Sequence, residues 1–232
     1  MATQNTEDPR IVAGLAAQRR AREEALAGGA VRLGWKAGLG TEAAMAKVGT
    51  SAPLVGFLTD GTLAASGATI AIHAWANPLL EPEVAVRLGA DVAAGAGAAE
   101  VRAAIDAAGP AIELVDLGAP DDVEAVLAGN IFHRAVLLGP LVALAPGGLD
   151  AVRLTLAVAG EPVVDGIDPR PALGDLAEVV RAIADQLPLS GTTLRAGDVV
   201  ITGAAVPPLA LRGGEDVEVT LDGAGAVSVA LR

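Results

Sequence analysis

Two glutamates two residues apart are the first candidates for chemistry. Glu81 and Glu83 lie in the segment LEPEVAV, residues 80–86. Successive side chains of a strand point to opposite faces, so residues two apart share one face. Two carboxylates that close repel each other, and one becomes protonated unless a cation lies between them. The pair therefore indicates either a cation site or a solvated strand end with two exposed acids.

A third glutamate, Glu113, lies between apolar residues in AIELVDL, residues 111–117. Strand alternation places it on the same face as Val115 and Leu117. An unpaired carboxylate on an apolar face costs on the order of several kcal/mol, so we expect Glu113 to be paired, protonated or bound to a metal. Three carboxylates that leave positions open for water and substrate suit Mg²⁺ or Mn²⁺, and they do not suit zinc.

Three further polar residues are ambiguous from their local sequence. Lys36, in GWKAG, is either a surface residue with a buried stem or a buried base. Asp60, in FLTDG, matches an ordinary turn, and Asn130 matches a helix end.

The chain has two histidines, His73 and His133. Neither has the spacing of a zinc triad or of a nucleophile–base pair. Both are predicted to lie in strands, and we expect neither to be catalytic.

The elements that must position these residues are mostly strands. Hydrophobic periodicity predicts strands at residues 31–39, 69–88 (broken by Asn77-Pro78 and by Pro82), 111–117, 132–138, 152–158, 162–164, 198–202, 216–221 and 226–231. Caps and breakers predict helices at residues 8–27, 41–48, 98–108, 121–128 and 171–187, and a loop-rich stretch at 53–67. Strands joined by irregular connections favour an α+β fold with a mixed, twisted sheet. No phosphate-binding glycine motif lies between a strand and a helix, which argues against a doubly wound nucleotide fold.

Composition limits the remaining possibilities. The 232 residues suit a single catalytic domain, residues 1–232, on which residues 1–30 pack as a helical extension. A net charge of −12 argues against nucleic acid and anionic membranes as partners, and the lack of Cys excludes disulfides and thiolate metal sites. The chain shows neither a secretory signal nor a membrane-length apolar run, so we expect a cytoplasmic protein.

Taken together, five segments resemble the 2-keto-4-pentenoate hydratase and 4-oxalocrotonate decarboxylase family of the fumarylacetoacetate hydrolase-like superfamily. They are GWKAGLGTEAAMAKVGTSAPLVGFLTD, LLEPEVAVRL, AIELVDL, AGNIFHRAVLLG and TLRAGDVVITGAAVPPLAL, which follow one another along most of the chain. The order and spacing of the five segments together carry the resemblance, and no single segment would.

The resemblance implies a role for each candidate residue. It implies metal ligands at Glu81, Glu83 and Glu113, and a catalytic Lys36 assisted by Asp60. It implies substrate contacts at Leu58, Asn130, Thr202, Gly203, Ala204 and Val206. Many relatives have Ser where this chain has Ala204, so one hydroxyl contact is missing. The implied fold is a distorted, β-barrel-like mixed sheet with peripheral helices. The implied assembly is a homo-oligomer, pentameric or decameric, and a complex with a pathway enzyme is a further expectation.

The implied activity is that of a lyase of aromatic catabolism. Our hypothesis is a metal-dependent hydratase that adds water to a 2-hydroxydienoate or 2-oxo-enoate and forms a 4-hydroxy-2-oxo acid, while Lys36 and Asp60 shuttle the proton. The first alternative is decarboxylation of a 2-oxo-enedioate through the same metal site. Further alternatives are an acylpyruvate-type hydrolase and a non-catalytic partner subunit.

Overall fold

The computed structural model describes residues 8–118, 122–145 and 148–232. The helices are α1 Pro9–Ala27, α2 Glu42–Val48, α3 Ala98–Ala104, α4 Val123–Ala128, α5 Arg170–Leu173 and α6 Leu176–Gln186. The strands are β1 Arg32–Gly38, β2 Leu54–Thr59, β3 Leu63–Ala64, β4 Ala68–Ile70, β5 Pro78–Leu88, β6 Ile105–Asp116, β7 His133–Leu138, β8 Val142–Ala143, β9 Leu154–Val158, β10 Glu161–Ile167, β11 Val199–Ala204, β12 Leu209–Ala210, β13 Asp216–Leu221 and β14 Gly225–Leu231. Single 3₁₀ turns cover Asp60–Thr62, Asn130–Phe132, Gly148–Asp150 and Leu187–Ser190.

The larger sheet curls around the candidate residues. Within the described residues it has nine strands, in the order β2-β1-β11-β5-β6-β7-β3, with β12 paired to β5 and β8 paired to β6. The β1–β11 pair is parallel and the β5–β6 pair is antiparallel, so the sheet is mixed. A second sheet of the described residues has five strands in the order β10-β9-β13-β14-β4.

The two faces of the larger sheet have different environments. Val84 and Ile112 point into the main apolar core, which they share with Leu156 and Val219 of the second sheet and Ile183 of α6. The glutamates of β5 and β6 occupy alternate positions and therefore point to the opposite face. The same face carries a small apolar cluster made of Leu58, Ala85, Ala111, Val136, Val199 and Ile201. The α+β prediction with a distorted mixed sheet and peripheral helices is confirmed.

The N-terminal helix α1 is tied to the sheet by a buried amide. Asp8 caps it by accepting a hydrogen bond from the Arg10 backbone N–H at 2.9 Å, as expected for Asp before Pro9. The Gln18 Nε2 atom donates to the carbonyl oxygens of Val55 and Leu127, each at 3.0 Å. Helix α1 thus runs from Pro9 to Ala27 against the sheet, and residues 1–7 lie outside the described residues.

Several predicted boundaries were wrong for local reasons. The predicted loop at 53–67 contains strand β2, because the mostly apolar run Leu54–Thr59 follows Pro53 directly. The helix predicted over 98–108 ends at Ala104, where Ile105 becomes extended and starts the long strand β6. The predicted start of helix 121–128 lies outside the described residues, and α4 begins after the cap residue Asp122.

Two further predictions were wrong because a turn lies inside the predicted element. The helix predicted over 171–187 is divided into α5 and α6 by Gly174, whose φ of 76° ends the first of them. His73, predicted to lie in a strand, lies exposed in a turn between β4 and β5. The break predicted at Asn77-Pro78 is observed, since β5 begins at Pro78, whereas Pro82 lies within β5 and does not break it. Among the described residues, no helix has the combination of length and apolar character that a membrane span requires.

Candidate functional site

Three carboxylates converge where β5 and β6 pair. Glu81 and Glu113 are directly opposite each other in the antiparallel register, and Glu83 lies two residues further along β5. One oxygen from each of the three lies within 4.8 Å of the others. Glu83 and Glu113 are fully buried, with 0% of each residue exposed. The alternative of a solvated strand end with harmless acids is therefore excluded for this cluster.

Two buried oxygens of this cluster have no hydrogen-bond partner among the described residues. Glu83 Oε2 accepts a hydrogen bond from the Gly203 N–H at 2.7 Å, but Glu83 Oε1 is buried without a partner. Glu113 Oε2 is likewise buried and unpartnered. Buried polar atoms are nearly always satisfied, so unpartnered carboxylate oxygens indicate a missing ligand. An all-oxygen set of three carboxylates fits Mg²⁺ or Mn²⁺.

Burial and mutual repulsion divide the cluster into acids of different strength. Burial, followed by the charge of Glu113, raises the pKa of Glu81 to about 7. The same causes raise the pKa of Glu83 well above its ordinary value. Burial also acts to raise the pKa of Glu113, but the Lys36 charge and the hydrogen bonds from His133 and Lys36 outweigh it and lower that pKa. Without a cation, these shifts favour the negative charge on Glu113 over Glu83.

These pKa values predict how metal and pH act together on stability. A carboxyl whose pKa is raised by folding binds more protons folded than unfolded, so stability falls as the pH rises from 4.5 to about 7 for Glu81. A divalent cation replaces those protons and reverses the loss. We expect Mg²⁺ or Mn²⁺ to raise the melting temperature more at about pH 8 than at about pH 6. Thermal unfolding with chelator or metal, at ionic strength matched with KCl, measures this, and an equal rise at both pH values contradicts it.

Lys36 is a buried residue, which excludes the surface alternative. It lies on β1 opposite Gly56 of β2, and only 1% of it is exposed. Its Nζ donates to Glu113 Oε1 and, at 3.1 Å, to the carbonyl oxygen of Ile131. Gly56 is required beside it, because a Cβ there would lie 2.7 Å from the Lys36 Cγ. The sheet therefore holds one ammonium group against the carboxylate cluster.

A strained turn supplies part of this arrangement. Asn130, Ile131 and Phe132 have φ values of 51°, 54° and 62°, a left-handed run that side chains other than glycine rarely adopt. Through it, Ile131 presents its carbonyl to Lys36. The Asn130 side chain accepts from the Phe57 N–H at 2.9 Å and donates to the Phe57 carbonyl at 3.0 Å, in the manner of a neighbouring strand. The structure thus gives Asn130 a backbone partner where a substrate contact was predicted.

A cavity of about 120 Å³ reaches the carboxylate cluster at Glu81. Its lining includes Glu81 and three of the predicted substrate residues, Thr202, Gly203 and Ala204. Gly203 has a φ of 98°, which aims its N–H at Glu83. The remaining lining is small and mostly apolar, and it consists of Ala37, Gly38, Leu39, Gly40, Thr41, Ala44, Leu173 and Pro208.

Asp60, Leu58 and Val206 are predicted site residues that lie outside the cavity lining. Asp60 is exposed, and its Oδ1 accepts from the Val31 N–H at 2.7 Å. It lies four residues beyond Gly56, the partner of Lys36, which is about 13 Å along an extended strand. Leu58 packs into the apolar cluster beside the site, and Val206 is half-buried outside the cavity lining.

His133 is a site residue that the sequence analysis missed. Its Nδ1 lies 2.6 Å from Glu113 Oε1, and its Nε2 lies 2.9 Å from the Thr62 hydroxyl. Its position follows from the antiparallel β6–β7 pairing, in which His133 is opposite Val115 after a register shift. The two apolar strands offered a signal, since pairing them in antiparallel register brings His133 close to Glu113.

Comparison with known proteins agrees with this geometry. Residues 30–232 match the family model described as fumarylacetoacetate (FAA) hydrolase C-terminal. The chain is 31% identical over 211 residues to 2-keto-4-pentenoate hydratase 1 of Dechloromonas aromatica (strain RCB), covering 88% of this chain and 79% of that protein. It is 29% identical over 215 residues to 4-oxalocrotonate decarboxylase of Pseudomonas putida, covering 90% and 80%.

A solved structure shows the same fold. It is 4-oxalocrotonate decarboxylase from Pseudomonas putida G7, complexed with magnesium and adipate. The TM-score is 0.85 at 26% identity, over 94% of this chain and 85% of that one. This likeness and the family match over residues 30–232 show that the chain belongs to the fumarylacetoacetate hydrolase C-terminal family.

Proposed function

We propose that this protein is a metal-dependent hydratase that converts a 2-hydroxydienoate or 2-oxo-enoate into a 4-hydroxy-2-oxo acid. Glu81, Glu83 and Glu113 would hold Mg²⁺ or Mn²⁺. The observation that carries the proposal is the pair of buried, unpartnered oxygens of Glu83 and Glu113 beside the buried Lys36. Relatives named as hydratases and a neighbour complexed with magnesium support it.

The chemistry divides between the cation and the chain. When bound, the cation supplies Lewis acidity that stabilises negative charge developing on the 2-oxygen of the substrate. Lys36 has three N–H donors, and two of them have acceptors in Glu113 and the Ile131 carbonyl. The third N–H of Lys36 is available to hold or deliver a proton at the substrate. Asp60 is exposed, and its Oδ1 accepts a hydrogen bond from the Val31 N–H. We therefore assign the proton transfer to Lys36 without Asp60.

The cavity lining favours a substrate with a small, uncharged tail. None of the residues that line this cavity is Arg, Lys or His. A second carboxylate in that space would lose its water without gaining a cation, which disfavours it. The lining of Leu39, Ala44, Leu173, Ala204 and Pro208 would accept a short hydrocarbon tail. This observation favours the hydratase over the decarboxylase.

The second candidate remains decarboxylation of a 2-oxo-enedioate. It is supported by the similarity to 4-oxalocrotonate decarboxylase, which has been solved in complex with the dicarboxylate adipate. The acylpyruvate hydrolase ranks lower. His133, the histidine beside the site, has both ring nitrogens occupied by Glu113 and Thr62, so neither is free to activate water.

Substrate preference decides between the two candidates. We expect the purified protein with Mg²⁺ or Mn²⁺ to consume 2-hydroxypenta-2,4-dienoate with a kcat/KM at least about tenfold above that for a 2-oxo-hexenedioate. Loss of dienol absorbance follows the first reaction, and released carbon dioxide follows the second. Faster carbon dioxide release would instead establish the decarboxylase, and no turnover of either acid would favour the non-catalytic subunit.

The proposal extends to the setting of the enzyme. We infer a cytoplasmic homo-oligomer, pentameric or decameric, that acts in the breakdown of aromatic compounds beside other enzymes of the same pathway. The family resemblance supports this inference, and light scattering coupled to size-exclusion chromatography measures the number of subunits.

A further inference from the structure

We propose that His133, anchored by Thr62, is a positioning residue that turns Glu113 so that its free oxygen faces the bound cation. The inference rests on the proposed metal site, and it assigns a role to a residue outside the ligand set. It follows from three features: unequal bonding of the two Glu113 oxygens, fixation of the imidazole, and the strained turn that precedes it.

The two oxygens of Glu113 have opposite environments. Oε1 accepts from both the Lys36 ammonium and the His133 ring, whose Nδ1 lies at 2.6 Å. Oε2 is buried with no partner among the described residues. The Lys36 ammonium and the His133 ring both bind this oxygen, and the ring, which is held on its far side, fixes the rotation of the carboxyl group. Oε2 is thereby kept as the oxygen whose lone pairs are available to a cation.

The imidazole is itself fixed from its far side. Nδ1 faces a carboxylate and therefore carries the proton, a tautomer assigned from its hydrogen-bond partner. In this tautomer Nε2 accepts a hydrogen bond from the Thr62 hydroxyl at 2.9 Å. Only 2% of the His133 side chain is exposed. A chain of hydrogen bonds thus runs from the Thr62 hydroxyl through the His133 ring to the proposed metal ligand.

His133 is not a ligand in this arrangement. The cluster that could hold an ion, among the residues the structure describes, consists of Glu81, Glu83 and Glu113 and does not include it. Its Nδ1–H is directed at the carboxylate oxygen that Lys36 also binds. Outer residues that hold metal ligands in this way commonly set ligand orientation and metal affinity.

The backbone before His133 supports a functional role. Asn130, Ile131 and Phe132 form three successive left-handed residues, and His133 follows directly. Such strain persists where the surrounding contacts compensate for it, and it concentrates at functional sites. Here the turn places the Ile131 carbonyl on Lys36 and His133 on Glu113. It therefore supplies one hydrogen-bond partner to each member of the buried Lys36–Glu113 ion pair.

Metal affinity without substrate tests the proposal. Binding of Mn²⁺ is followed by the loss of the free-ion electron paramagnetic resonance signal. We expect His133→Leu, which fills the space without a donor, to weaken Mn²⁺ binding about 10- to 100-fold. His133→Asn should recover most of that loss, because its amide nitrogen occupies the branch position of Nδ1. Thr62→Val should give an intermediate loss, since the ring keeps its donor but loses its anchor.

His73→Leu is the matched control, because it makes the same change at the exposed histidine and should bind Mn²⁺ as the wild type does. Wild-type affinity in folded His133→Leu overturns the proposal, and so does His133→Asn binding as weakly as His133→Leu. If His133→Leu fails to fold, Thr62→Val decides, and an affinity within about twofold of wild type overturns the anchored role.

If the wild type binds Mn²⁺ but turns over no acid, the proposed function fails and the positioning role stands. If it binds no Mn²⁺, both fail.

Discussion

Replacing Lys36 with methionine should lower kcat by about 10²- to 10⁴-fold while the protein still binds Mn²⁺. Methionine keeps the length of the side chain within the space that Gly56 provides, but it removes the proton and the charge. Metal binding should persist, because Lys36 repels a cation and its loss leaves the oxygens of Glu81, Glu83 and Glu113 in place. The measurements are turnover of 2-hydroxypenta-2,4-dienoate at saturating Mn²⁺ and the Mn²⁺ affinity of the same sample.

Lys47→Met is the matched control for this variant. Lys47 is the other lysine of the chain and lies exposed on α2, so its replacement should leave kcat within about twofold of wild type. Unchanged turnover in Lys36→Met would contradict the proton-transfer role. Loss of Mn²⁺ binding in parallel with turnover would instead show that Lys36 acts by organising the carboxylates.

The carboxylate cluster shows how far the sequence leads. The spacing of Glu81 and Glu83 was sufficient to place them on one face, because strand alternation is a local property. The apolar neighbours of Glu113 were sufficient to predict a buried acid that needs a partner. What the residues alone could not provide was the β5–β6 register that sets Glu81 opposite Glu113, since register depends on contacts between distant segments.

The polar residues around the cluster show which positions the local sequence can predict and which it cannot. Asp60 looked like a turn residue and is one, and its Oδ1 accepts from the Val31 N–H; the catalytic role that the resemblance implies for it stays a prediction. His133 had no neighbouring histidine or carboxylate in the sequence and was set aside. It meets Glu113 only because β6 and β7 pair across a register shift after a left-handed turn. A run of left-handed non-glycine residues has no reliable local signature.

Replacing Glu113 with glutamine should have the largest combined effect on metal binding, activity and stability. Glutamine removes the charge on which Lys36, His133 and the proposed cation all depend. We expect Mn²⁺ affinity to fall by at least about 100-fold and turnover to fall below detection. We also expect the free energy of unfolding to drop by about 3–5 kcal/mol, because the Lys36 ammonium remains buried without its carboxylate. Mn²⁺ titration and urea unfolding measure the two effects.

The double variant Lys36→Met/Glu113→Gln separates the two consequences. Removing both charges relieves the unpaired ammonium, so most of the lost stability should return, and the coupling appears as strong non-additivity in the double-mutant cycle. Mn²⁺ binding should stay lost, because its ligand is still absent. Glu218→Gln, at an exposed position of β13, serves as control and should alter neither quantity. If the double variant is no more stable than Glu113→Gln, the buried pair is not what Glu113 contributes to folding. If either Glu113 variant binds Mn²⁺ at wild-type affinity, the three-carboxylate site is wrong.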